Sequence, residues 1–317
     1  FLTKRDLFDI PDVWNLVDWA AQDLERDGEV ISNTVLMAQA LDYAAQMAGA
    51  LGHVDDKAKH EALAKRLRDA VNRYGWSEQY QGYVDTVRDH TAYERYQNQC
   101  AERGITPLTF DTFQNKQRIS EPTNTLVLLC NAVPAERRDA VMKLVLNAKA
   151  GKFIGSSPWH AAAGKPGEIV PVGSPWFLFF TLETLFQEGL ATDALTILRE
   201  QWNRMLEKGA TTFWETFPGH IGSGHWSRSL CHGWSAAPAY FLSTQVLGVK
   251  PIEPGYRRIR IAPQTFNLRW AEGVVPTPHG PVTVSWKMDE LGQIDLHYNA
   301  PPGCAVEVVL PATMTYP

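Results

Sequence analysis

The sequence predicts a mainly helical protein, part of an α/α toroid, followed by a small antiparallel β-sandwich domain. Two observations carry that prediction. Before residue 248, apolar helical segments alternate with amphipathic ones. After it, short period-two segments are separated by Pro, Gly and acidic turns. Self-similarity at a 34-residue period is absent, which argues against a tetratricopeptide-type solenoid. The expected domains are residues 1–248 and 249–317.

The first hairpin pairs NTVLMAQALDYAAQMAGAL, residues 33–51, with residues 55–73. The former is Ala-rich and apolar nearly all round, so it is expected to be a buried inner helix. The latter gathers Ala58, Ala62, Leu63, Leu67, Ala70 and Val71 on one stripe with Lys and Arg opposite, the mark of an outer helix. The pattern repeats with apolar 122–132 and amphipathic 135–149. Ser120 is placed there as an N-cap, and Pro122 is tolerated in the first turn. Segments 174–188 and 191–207 repeat it again, and 234–247 begins a fourth hairpin. Long connections at 76–119, 151–173 and 208–233 interrupt the hairpins, and loops that long are usually functional or disordered. PIEPGYRRIRIAPQ, PVTVSWKM, QIDLHY and AVEVVL then read as strands of the second domain.

Composition narrows the function. The 317 residues carry a net charge of −5 with no basic block, so neither nucleic acid nor a membrane surface is an expected partner. No apolar run approaches the ~20 residues of a membrane-spanning helix. Cys100, Cys130, Cys231 and Cys304 are scattered and fit reduced, buried thiols, as in a cytoplasmic protein. A chain beginning at Phe1 leaves room for a signal peptide upstream. Eleven Trp accompany thirteen Phe and ten Tyr, which suits a protein that stacks on sugar rings, although Trp is also common in cores. The GxGxxG, P-loop, GxSxG and HExxH motifs are missing, so nucleotide, serine-hydrolase and zinc-protease chemistry lose their motif support. No cofactor is expected.

The candidate site lies in GATTFWETFPG, residues 209–219. Glu215 follows a helix end at Lys208-Gly209 and is flanked by Trp214 and Phe217. Burial against these rings would raise its pKa toward neutrality, which suits a general base. An exposed loop carboxylate is the plainer alternative. His232 precedes a segment whose first turn holds Trp234; it is either packed in the barrel or a partner for a substrate hydroxyl. His220, His225 and His232 are irregularly spaced among glycines, and no metal site is expected from them. In DIPDVWNLVDWAAQD, Trp14 and Trp19 interleave with Asp9, Asp12 and Asp18, so one of the two is either core or a sugar platform.

ATTFWE, SLCHGWSAAPAYFLSTQVLGVKP, RRIRIAPQ and VVPTPHGPVTVSW resemble the C-terminal half of the bacterial family 78 glycoside hydrolases, the α-L-rhamnosidases. DIPDVWNLVDW, the helix start RISEPTNTLVLL and VGSPWFLFFTLETL look like the same family, so the resemblance spans nearly the whole chain. It implies an (α/α)6 barrel followed by a β-sandwich, and removal of terminal α-L-rhamnose from glycosides with inversion. It makes Glu215 the general base that activates water, and His232 a residue that contacts the sugar. Trp14, Trp19 and Trp214 become candidates for the aromatic wall of the sugar site.

Departures from the family pattern accompany the resemblance. The acidic motif followed by Gly-Trp that carries the family's general acid is absent, and about seven helices are legible where the barrel has twelve. RISEPTN stands where a Gln-containing turn is expected, and 90–118 is an insert. The chain therefore reads as the second half of a barrel with its sandwich, inactive and marginally stable alone, its partner being the N-terminal half of the same barrel. A non-catalytic carbohydrate-binding module and another α/α-barrel glycosidase or phosphorylase are the alternatives; loops without a clear Arg/Lys/His cluster argue against phosphorolysis. Sequencing the gene upstream of the Phe1 codon tests this reading. An acidic Gly-Trp motif in frame supports it, and a start codon there favours a binding role.

Overall fold

The structure is a computed structural model that describes residues 2–9, 17–18, 20, 28–115, 117–150, 169–218 and 229–310, with residues 148–150 described by backbone alone. The chain forms two compact units, Phe1–Ser235 and Ala236–Pro317.

In the first unit a short strand, β1 (Glu29–Val30), leads directly into α1 (Ile31–Ala50). The chain reverses at Gly52, whose φ of 79° an L side chain resists, and returns as α2 (Val54–Ala70). Ala38 and Leu41 of α1 pack on Ala64 and Leu67 of α2, so the predicted first hairpin is present. Two details differ from expectation. The helix α1 is not buried all round: Leu36, Tyr43 and Met47 form a second, exposed apolar stripe. In α2, Ala58 and Ala62 are exposed, and the buried stripe begins only at Ala64.

A single π-helical turn, Val71–Gly75, follows α2. A Cβ on Gly75 would come within 2.8 Å of Ile31 Cδ1, so this turn presses closely on α1. The connection 76–119 is not a loop. It holds the hairpin β2 (Trp76–Ser77) and β3 (Gly82–Tyr83), the strand β4 (Thr86–Val87) paired with β1, and two helices, α3 (His90–Glu102) and α4 (Phe110–Asn115). Asp89 caps α3 by accepting from Ala92 N at 2.9 Å. Aromatic contacts hold the two helices together: Tyr96 stacks on Phe113 at 5.0 Å and His90 on Phe110 at 3.9 Å.

The second and third predicted hairpins are α5 (Glu121–Leu129) with α6 (Ala135–Ala150), and α7 (Pro175–Gln187) with α8 (Ala191–Leu206). Both inner helices start by the same device. Ser120 caps α5 and Ser174 caps α7, each accepting from the backbone N–H three residues on, at 3.2 Å. Each cap hydroxyl in turn donates to a buried aspartate, Ser120 to Asp85 and Ser174 to Asp18. Asp85 also accepts from Thr123 Oγ1 at 2.6 Å, and Asp18 from Gly173 N at 2.6 Å. Glu121, fully buried in the first turn of α5, accepts from Val172 N and from Thr181 Oγ1 of α7, both at 3.1 Å.

Within the second unit, the expected helix over 234–247 is reduced to α9 (Ala237–Phe241) and a π-helical turn, Leu242–Val246. The part of that segment belonging to the first unit is a 3-10 turn, Gly233–Ser235. Six strands follow: β5 (Val249–Pro251), β6 (Arg258–Ile261), β7 (Trp270–Thr277), β8 (Gly280–Met288), β9 (Ile294–Asn299) and β10 (Ala305–Val308). They form two three-stranded sheets, β10-β6-β5 and β7-β8-β9. All pairings are antiparallel except β10 with β6. Ile259 and Ile261 from one sheet meet Val275, Val282, Val284 and Trp286 from the other, which is the sandwich core.

The cap network makes a stability prediction. Ser120→Ala removes the cap and one donor to buried Asp85, and should cost about 2 kcal/mol in urea unfolding. A loss below about 0.5 kcal/mol would place the stability of α5 elsewhere.

Candidate active site

The site begins where α8 ends. Gly209 adopts φ 81° and donates to Leu206 O at 2.8 Å, while Ala210 N donates to Met205 O at 3.1 Å. This left-handed turn releases the chain from the helix, and glycine is the residue that accepts it without strain.

The segment leaving the helix is pinned to the returning segment 229–232. Glu215 N donates to Ser229 O at 2.9 Å, His232 N to Phe213 O at 2.7 Å, and Thr212 Oγ1 to Leu230 O. These bonds bring the two predicted residues together: Glu215 Oε2 lies 3.9 Å from His232 Nδ1. The Glu215 side chain retains 15% of its exposure and His232 36%, so both reach solvent from a partly enclosed position. A separation of 3.9 Å is beyond a hydrogen bond. Both groups can therefore offer a polar atom to the same small ligand from one side.

Aromatic rings form the floor beside this pair. The 3-10 turn Gly233–Ser235 sets the Trp234 ring 4.5 Å from the His232 ring. Trp234 Nε1 donates to Glu215 O at 2.9 Å. Trp176, in the first turn of α7, stacks on Trp234 at 6.1 Å and 25°. Trp214, predicted to face the sugar, is 3% exposed, and Phe217 is buried as well. Among the described residues, the half-buried indole next to the acid and the imidazole is Trp234, and half-buried Trp176 lies against it. Trp176 goes unrecognised in the sequence, although its place directly after the Ser174-Pro175 helix start is a usable signal.

The remaining candidates fall elsewhere. Trp14, Trp19, His220 and His225 lie outside the described residues. Asp18 is a helix-cap acceptor, and Asp9 accepts from Arg95 at 2.8 Å. Cys100 and Cys130 are buried as expected, but Cys304 is half-buried and Cys231, beside His232, is exposed.

A partly enclosed carboxylate next to an imidazole, with a stacked indole pair beside them, suits proton transfer beside a ring-shaped polyol. The comparisons with known proteins agree with that class. Residues 3–246 match the model of the bacterial α-L-rhamnosidase six-hairpin glycosidase domain, and residues 248–316 that of the bacterial α-L-rhamnosidase C-terminal domain. The chain therefore belongs to the bacterial α-L-rhamnosidase family. Its hairpins are part of a six-hairpin α/α barrel, followed by the family's C-terminal β domain.

An α-L-rhamnosidase of Alteromonas sp. (strain LOR) is 34% identical over 116 residues, which is 35% of this chain and 12% of that protein. One from Formosa agariphila is 28% identical over 115 residues, with the same shares. The solved structure of the family 78 rhamnosidase of Bacillus sp. GL1 is similar over 99% of this chain and 29% of its own, with 29% identity and a TM-score of 0.79. The α-L-rhamnosidase of Streptomyces avermitilis, solved with L-rhamnose, shares the fold at 22% identity and a TM-score of 0.60, over 89% of this chain and 23% of its own.

The thiols beside and behind the site should differ in reactivity. Burial pushes the Cys130 thiol up to about 12, whereas Cys231 is exposed. Iodoacetamide at about pH 8 should alkylate Cys231 first and leave Cys130 intact in the native protein, as read by mass spectrometry. Early labelling of Cys130 would contradict its burial where Arg68 of α2 donates to the Cys130 carbonyl at 3.0 Å.

Proposed function

We propose that this chain takes part in hydrolysing terminal α-L-rhamnose from rhamnosides by inversion, with water activated by Glu215. The observation that carries the proposal is the placement of Glu215. In a chain of the rhamnosidase family, the acid of TTFWE stands beside the His232 of CHGWSA and the Trp234 indole.

The chemistry follows from that placement. A water held by Glu215 attacks the anomeric carbon on the face opposite the leaving group, and the carboxylate takes its proton. A second carboxyl, roughly 6.5–9.5 Å from the first in inverting enzymes, protonates the departing glycosidic oxygen. His232, with a polar ring nitrogen near Glu215, holds a hydroxyl of the same sugar. The apolar face of the sugar lies on the indole floor. The acidic Gly-Trp motif that carries the family's general acid is not in this sequence, so the proposal assigns this chain the base half of the pair.

The intact protein, assayed on an aryl α-L-rhamnoside, tests the assignment. Glu215→Gln should lower kcat by about 10²–10⁴-fold with the fold retained. Turnover near wild type would sink the role of Glu215. His232→Ala should mainly raise KM, by roughly tenfold, the loss of one good hydrogen bond. Proton NMR of the first sugar released should show the β-anomer of L-rhamnose, and an α-anomer would exclude inversion.

A further inference from the structure

We infer that Arg204 is a positioning residue for Glu215, acting through the loop that carries the carboxylate; the inference rests on the proposed role of Glu215. The loop has two flanks. The upstream flank, Thr212 to Glu215, is bonded to the returning segment 229–232. The downstream flank, Phe217 and Pro218, is held from the last turns of α8.

Arg204 supplies two contacts of different kinds. Its Nη2 donates to Pro218 O at 2.9 Å, and its Cζ lies 5.4 Å from the centre of the Phe217 ring. Nη1 donates to Gln201 Oε1 at 3.1 Å, which braces the guanidinium against its own helix. Trp202 meets the same Phe217 ring edge-on at 5.5 Å, and its Nε1 donates to Ser235 O at 2.9 Å. One end of α8 thus grips the chain just after Glu215 and also the end of the 3-10 turn that carries Trp234. The guanidinium is half-buried, and its desolvation lowers its pKa, a cost that a solvated helix-end arginine does not bear. Arginine fits this place because a planar fork can hydrogen-bond a carbonyl and lie against a ring at once. A base that must meet its water in one orientation loses about 10²-fold from a displacement near 1 Å, so the clamp matters to turnover more than to sugar binding.

The test uses the intact protein and the variants Arg204→Met, Arg204→Lys and Glu215→Gln. Arg204→Met should lower kcat about 10- to 100-fold. The dissociation constant for L-rhamnose should stay within about twofold by calorimetry, and Tm should fall by less than about 5 °C. Arg204→Lys should recover part of kcat, because its ammonium reaches the carbonyl but cannot fork. Amide exchange over residues 213–217 should quicken in Arg204→Met, whatever reaction the site serves. Unchanged exchange overturns the clamp. A kcat within twofold of wild type, or a loss matched by equal loss of rhamnose binding or by a larger fall in Tm, overturns the positioning role. If Glu215→Gln keeps wild-type turnover while exchange quickens, the proposed function fails and the clamp stands.

Discussion

The buried carboxylates at the starts of α5 and α7 are the constraint on which the helical unit depends. A carboxylate taken out of water costs several kcal/mol unless hydrogen bonds replace its hydration. Asp85 and Asp18 meet that condition through the cap serines, Thr123 and a backbone N–H, each beside the positive end of a helix. Glu121 extends the arrangement sideways, from the first turn of α5 to the strand-like segment before α7 and to Thr181 within it. Sliding α7 relative to α5 would strip these oxygens of their donors. The two inner helices are therefore held in one register by groups that cannot be left unpaired.

That register sets the floor of the site. Trp176 stands two residues after the Ser174 cap, so its position follows from the Asp18 contact. Its stack on Trp234 carries the constraint to the 3-10 turn and so to His232. A chain of contacts therefore runs from a buried aspartate, which takes no part in the proposed chemistry, to the two residues that do. The geometry around Glu215 and His232 thus follows from how the inner helices begin.

Features set by local sequence were legible, and features set by distant partners were not. Ser120 and Ser174 announced two helix starts, and the 3.6-residue periodicity announced three hairpins. Gly209 marked the end of α8. Glu215 and His232 were each singled out by the family motifs rather than by spacing, and their approach to one another shows only in the fold. By contrast, α3 and α4 hide in a Tyr- and Gln-rich stretch whose apolar character appears only when Tyr93 and Tyr96 meet Phe110 and Phe113. The break of 234–247 into short helical pieces had a signal in Gly233 and Pro238, which weaken helix continuity, but the apolar run masked it. The parallel pairing of β10 with β6 joins segments too far apart in sequence for alternation to reveal.

The site separates a fixed backbone from a projecting side chain. Both backbone polar groups of Glu215 are bonded, its N–H to Ser229 O and its carbonyl to Trp234 Nε1. The carboxylate thus projects from a backbone that is held on both sides of its Cα. The same indole that lies against His232 also holds the Glu215 carbonyl, which ties the ring to the backbone of the proposed base. This part-buried bond contributes about 0.5–1.5 kcal/mol to keeping the two together. Preorganisation here rests on ordinary backbone hydrogen bonds placed on either side of one acid.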